Sequence, residues 1–144
     1  MLIALDQAKI AFGSEEVPFG AVIIDSQTGK IISKAHNKVE QLKDPTAHAE
    51  ILAIRSAAYQ IANARLTNVE LFVTLEPCAM CAGAISHARL RRLYFGAYDP
   101  KGGAVEHGPC LFSQKTTHHQ PEIIGGIQQT ACADLLKQFF AERR

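Results

Sequence analysis

The stretch from Val69 to Ala97 restricts the fold more than any other part of the chain. Val69 to Leu75 is a run of strand type. Glu76-Pro77 opens a helix that runs through about Ala88, and Leu93 to Ala97 is a second strand. A strand, a helix and a strand within about 30 residues form a βαβ unit, so these two strands lie parallel in one sheet. The flanking segments supply further elements. Leu2, Leu5, Ala8 and Phe12 recur at helical spacing, and Gly13-Ser14 ends that helix. Phe19 to Ile24 and Lys30 to Ala35 are strands joined by the turn residues Ser26-Gln27-Thr28-Gly29, which makes a hairpin. Asp44 suits an N-cap and Pro45 a first helical position, which predicts a helix from there to about Tyr59. Glu122 to Ile127 is a weak last strand, and Ala131 to Arg143 a closing helix with Leu135, Leu136, Phe139 and Phe140 on its apolar face. Asp99 to Gln120 is a long loop rich in Gly and His, expected to be functional or to carry short helical turns. The pattern is that of an α/β fold with a mixed sheet packed against helices.

At 144 residues, 47% apolar and 20% charged, the chain has the size and balance of one folded domain spanning 1–144. No apolar run approaches the roughly 18 residues of a membrane span. The opening MLIALDQAKIAF has an early acidic residue and no basic lead, so it does not read as a signal peptide. A cytoplasmic location with reduced thiols is therefore expected. A formal charge of +1 neither demands nor excludes nucleic acid, and any such partner must be met by a local patch.

Two helix starts carry the chemistry. One reads Thr46-Ala47-His48-Ala49-Glu50, the other Glu76-Pro77-Cys78-Ala79-Met80-Cys81. Cys78 and Cys81, three apart, share a helix face and can grip one ion. Free N–H groups in a first helical turn favour thiolate. Two thiolates and a neutral imidazole from His48 balance a Zn2+ ion and leave a fourth position for water, as in catalytic zinc sites. Glu50, two residues beyond His48, points elsewhere on the helix and is better suited to take a proton from that water than to bind the metal. Taken alone, the Cys-x-x-Cys pair also fits redox chemistry or packing, and Cys110, His87 or His107 would be needed to complete a purely structural zinc site. His-x-Glu followed by Pro-Cys-x-x-Cys is far more specific, being the signature of zinc nucleobase deaminases.

The segments DPTAHAEI and VTLEPCAMCAGAISHARLRRLYFGAYDPKGGA, with the VPFGAVII strand and the closing LLKQFFAERR, resemble the bacterial tRNA-specific adenosine deaminases of the cytidine deaminase-like superfamily. The resemblance covers nearly the whole chain. It implies a three-layer α/β/α fold with a five-stranded mixed sheet, a homodimer, and hydrolytic conversion of the wobble adenosine of a tRNA anticodon stem-loop to inosine. On this resemblance His48, Cys78 and Cys81 are the zinc ligands and Glu50 the proton shuttle. Asn37 hydrogen-bonds the flipped base, Asp99 lies near the target ribose, and Phe139, Phe140, Arg143 and Arg144 frame the anticodon loop.

A base stacked in a loop must be extruded to reach such a site, so affinity has to come from the flanking backbone. Arg89, Arg91, Arg92, Lys101, Arg143 and Arg144 are the candidate phosphate contacts, with a solvated basic rim as the alternative. His118 and His119 read as polar loop residues, one of which can stack on a base. Cys110 and Cys132 read as small buried hydrophobes. Two other functions fit the same residues. One is a free nucleobase or nucleoside deaminase of the same superfamily, which would need a closed lid. The other is a non-catalytic zinc-stabilised RNA-binding module, which would have no use for Glu50.

Overall fold

The computed structural model describes residues 1–143. The chain runs through α1 (Leu2–Gly13), the hairpin β1 (Gly20–Asp25) and β2 (Ile31–His36), a one-turn helix α2 (Val39–Leu42), and α3 (Ala49–Ile61). It continues through β3 (Val69–Leu75), α4 (Ala79–Ala88), β4 (Arg92–Ala97), a 3-10 turn over Leu111–Ser113, β5 (Glu122–Ile124) and α5 (Gln129–Ala141). The five strands form one sheet in the order β2-β1-β3-β4-β5. The expected βαβ unit is present: β3 and β4 pair in parallel, with Leu71 opposite Leu93 and Val73 opposite Phe95. β5 adds parallel to β4, while β1 is antiparallel to both β2 and β3. The sheet is therefore mixed and the architecture three-layer α/β/α, as the sequence pattern and the resemblance imply.

One face of the sheet buries Ala21, Ile23, Leu71, Val73, Leu93 and Phe95 against Ala49, Ala53 and Ala57 of α3 and Ala82, Ile85 and Ala88 of α4. The small helix residues let the backbones approach closely, which fixes the starts of α3 and α4 against the sheet. α1 and α5 cover the other side, through contacts of α1 with β1 and β2 and of α5 with β4. Two glycines make that approach possible. A Cβ on Gly20 would overlap the Ala4 carbonyl, and one on Gly96 would overlap the Cys132 sulfur.

Several boundaries differ from expectation. α3 begins at Ala49, not Pro45, because Asp44 caps a turn of its own: its Oδ1 accepts from the Thr46 backbone N–H (2.8 Å) and hydroxyl (2.7 Å). α4 begins at Ala79, not Glu76. β5 stops at Ile124, and Gly125 beyond it lies close against the Phe95 ring, where a Cβ would come within 2.5 Å. The short α2 has no periodic signature. It is held by Glu16, 1% exposed, whose carboxylate accepts from the backbone N–H groups of Glu40 (3.2 Å) and Gln41 (2.7 Å). On α5 the buried face is Cys132 and Phe139 with Leu135 and Leu136 half-buried, while Phe140 turns outward at 51% exposure. Cys132 is buried as expected, but Cys110 is only half-buried, in a left-handed backbone position. Among the described residues no helix is long and apolar enough to cross a membrane.

Candidate metal centre

Both helices that point at the site begin on a residue of the candidate ligand trio. His48 is the N-cap of α3 (φ −70°, ψ 152°) and Cys78 the N-cap of α4 (φ −73°, ψ 176°). In each case extended chain turns into helix at the candidate ligand, and Cys81 follows one turn after Cys78. The His48 Nδ1 lies 3.7 Å from the Cys78 Sγ and 3.5 Å from the Cys81 Sγ, and the three donor atoms all lie within 4.8 Å of one another. Zinc bonds of about 2.3 Å to sulfur and 2.0–2.1 Å to nitrogen put tetrahedral donors roughly 3.5–3.8 Å apart. The spacing and the donor set therefore both fit zinc. Among the described residues Cys110, His87 and His107 do not join this group.

The three donors are coupled to one another through hydrogen bonds. The Cys78 thiol is held down to about 4 by its hydrogen bonds with Cys81 and His48, so it is a thiolate at neutral pH. The same pairing with Cys78, together with burial and the neighbouring Glu50, pushes Cys81 upward. His48 is raised by its bond to Cys78, against the effect of its burial. Glu50, on the first turn of α3, is 5% exposed, and the Cys81 thiol donates to its Oε2 at 3.0 Å. Burial is the main cause that lifts its carboxyl above the usual range.

Asn37 sits where β2 ends, 3% exposed. Its backbone N–H donates to the Phe19 carbonyl (3.0 Å) and its Nδ2 to the Val17 carbonyl (3.2 Å). Its Oδ1 is buried without a hydrogen-bond partner among the described residues. The next residue, Lys38, bonds the Ala47 carbonyl at 3.1 Å, which ties this corner to the residue before His48. Asp99 is half-buried and caps its own loop, its Oδ1 accepting from the N–H groups of Lys101 (3.1 Å) and Gly102 (3.0 Å).

The expected RNA contacts divide. Phe139 is 4% exposed and packs edge-on against Phe12 of α1, so it belongs to the core and offers no face to a ligand. Phe140 is exposed, and the Arg143 guanidinium stacks 3.5 Å from the Phe139 ring centroid. Arg144 lies outside the described residues. Arg92 is committed within the sheet: it bonds Glu70 (2.7 Å) and Glu122 (2.8 Å), its register neighbours on β3 and β5, and the Tyr94 hydroxyl. It is a strut across three strands, not a free phosphate contact. Arg91 and Lys101 are exposed, and Arg89 is half-buried at the left-handed C-cap of α4. His119 is taken up by the Ser86 hydroxyl and the Leu90 carbonyl.

One buried carboxylate escapes sequence reasoning. Glu76 does not open a helix. It is 1% exposed and folds under the loop after β4, where it pairs with His107 at 2.8 Å. A carboxylate ending an otherwise apolar strand, just before a Gly-rich loop, was the available signal.

The family model for the cytidine and deoxycytidylate deaminase zinc-binding region matches residues 1–97. A tRNA-specific adenosine deaminase of Agrobacterium fabrum is 50% identical over 144 residues, covering 100% of this chain and 93% of the relative. A solved structure from studies of A-to-I editing by tRNA:A34 deaminases at the wobble position of transfer RNA superposes with a TM-score of 0.92 at 49% identity, covering 94% of this chain and 97% of that one. A guanine deaminase structure from Bacillus subtilis is more distant, with a TM-score of 0.64 at 30% identity and coverage of 97% and 88%.

Proposed function

Because the chain belongs to the cytidine and deoxycytidylate deaminase zinc-binding family, we propose that it is a zinc-dependent tRNA-specific adenosine deaminase, converting the wobble adenosine of an anticodon to inosine with release of ammonia. One observation carries the chemistry: three donor atoms spaced for zinc, with a buried carboxylate 3.0 Å from one of them. The RNA substrate is supported by near-50% identity to tRNA-specific adenosine deaminases along the whole chain, against 30% to the guanine deaminase.

His48, Cys78 and Cys81 would hold the metal. Zinc in such a site supplies Lewis acidity, lowering the pKa of a water ligand to about 7. Glu50 takes a proton from the attacking water and delivers it to the ring nitrogen beside the amino-bearing carbon as the new C–O bond forms. It then takes the second proton from the hydroxyl of that adduct and hands it to the amine as the C–N bond breaks and ammonia leaves. A carboxyl raised by burial suits a group that must act first as base and then as acid. The free Oδ1 of Asn37 would accept a hydrogen bond from the extruded base, a role supported by its lack of any other partner among the described residues. Asp99 would stand near the ribose. Phe140, Arg143 and Arg144 would frame the anticodon loop, with Arg89, Arg91 and Lys101 as a basic rim.

The domain is taken to span 1–144 and to act as a homodimer in the cytoplasm, where its tRNA substrate resides. The test is inosine formation in an anticodon stem-loop with adenosine at the wobble position, alongside ammonia release from free guanine, cytosine and their nucleosides. Turnover confined to the stem-loop is the expected result. Turnover of free bases alone would favour the nucleobase reading and overturn this one.

A further inference from the structure

Glu76 is separated from Cys78 by a single proline, yet its carboxylate bonds the loop after β4. Oε1 accepts from the Asp99 backbone N–H (3.0 Å) and pairs with His107 Nδ1 (2.8 Å). Oε2 accepts from the backbone N–H groups of Val105 (3.1 Å), Glu106 (2.9 Å) and His107 (3.1 Å). One side chain therefore gathers five donors from both ends of the loop 99–107. The fit is tight: a Cβ on Gly103 would come within 2.6 Å of Oε2. The same strand end holds the loop a second time, where the Ala104 N–H bonds the Pro77 carbonyl at 2.9 Å. Ala104 and Val105 then pack into the core that contains Ala49, the residue between His48 and Glu50.

A buried carboxylate is unfavourable unless its acceptor sites are filled, and here the loop fills them. The consequence is that residues 76 and 77 fix two things together, the turn carrying Cys78 and the loop carrying Asp99 and Lys101. We propose that Glu76 is a positioning residue for substrate, holding loop 99–107 rigid against the metal-ligand turn before RNA arrives. An ordered loop loses little freedom on binding, so the effect of Glu76 falls on affinity more than on the chemical step. The substrate half of this proposal rests on the tRNA deaminase reading. The loop half does not.

The experiment compares wild type with Glu76→Gln, which turns an amide NH2 toward N–H donors, and with Gly103→Ala, which pushes the loop off an intact Glu76. Zinc per chain, amide hydrogen exchange at 103–107, and kcat and KM on the anticodon stem-loop are measured for each. Both variants are expected to keep full zinc and to exchange the Val105, Glu106 and His107 amides at least tenfold faster. KM should rise at least tenfold with kcat within threefold. Unchanged exchange overturns the loop assignment. Faster exchange with unchanged KM overturns the substrate role, and loss of zinc and kcat at constant KM would mean that Glu76 acts on Cys78 instead. Should Glu76→Gln not fold, Gly103→Ala decides the matter by the same readouts. If wild type makes no inosine, the deaminase reading fails by itself, while exchange and stem-loop Kd still decide the role of Glu76.

Discussion

Glu50 and Glu76 are the same kind of residue, at 5% and 1% exposure, in the two segments that build the metal centre. Their surroundings are opposite. Glu76 meets five hydrogen-bond donors; burial alone would raise its carboxyl, but the bonds from Asp99, His107, Glu106 and Val105 outweigh it and hold the group below its ordinary range. Glu50 meets the Cys81 thiol, its own backbone N–H and the nearby His48, yet burial outweighs them and the carboxyl rises. A buried acid whose acceptor sites are filled by the fold is an anchor. A buried acid whose partners do not outweigh its burial binds a proton more tightly than an exposed one.

The largest test of this contrast is to empty the metal site. Chelation should reduce inosine formation to background, and added zinc should restore it, followed by activity alongside metal analysis. Activity surviving with metal-free protein would remove the reason for the Glu50 environment. Next in size is Glu50→Gln, which keeps shape and removes the proton carrier. Its kcat should fall by about 10²–10⁴ with zinc content unchanged, the usual range for losing a general acid–base group. Near-wild-type turnover would place the proton transfer elsewhere.

The two acids should also bend stability in opposite directions with pH, measured by denaturant unfolding of the metal-free protein. The folded pKa of Glu76 lies below its unfolded value. Its contribution is therefore complete above the unfolded value of about 4.3 and is lost as pH falls through the folded one. The folded pKa of Glu50 lies above its unfolded value. Its burial is tolerated in acid and becomes destabilising as pH rises from about 4.3 through the folded pKa. At pH 7 Glu50→Gln should thus be more stable than wild type and Glu76→Gln less stable, and both differences should shrink toward pH 4. Two shifts of the same sign would dissolve the contrast.

The same contrast explains what the sequence made legible. The βαβ unit, the hairpin and the ligand trio follow from local patterns, periodicity and residue spacing, and these survive folding. Glu50's place beside the trio was legible because its motif is local. Glu76 was not, because its five donors come from residues at least 23 positions away, and no window along the chain contains them. The helix starts were misplaced for a related reason. Asp44 and Glu76 both read as helix openers, but each is consumed by a competing hydrogen bond, one with Thr46 and the other across the sheet end. Phe139 had the right type for stacking on a base, yet its place against Phe12 is a property of how α1 and α5 meet.

Arg91 and Arg92 carry the comparison over to cations and give its smallest test. They are neighbours in sequence, and both read as phosphate contacts. Arg92 finds Glu70 and Glu122 beside it in the sheet, whereas among the described residues no carboxylate pairs with the exposed Arg91. A guanidinium already held by two carboxylates has no net charge to offer RNA, so only Arg91 should release counterions on binding. Arg91→Ala should weaken stem-loop binding several-fold and reduce the slope of log K against log salt by about 1. Arg92→Ala should leave that slope unchanged while lowering Tm, because it strands the buried Glu70 without its partner. Equal slopes for the two variants would show that internal pairing does not decide which charges on this rim meet the phosphates.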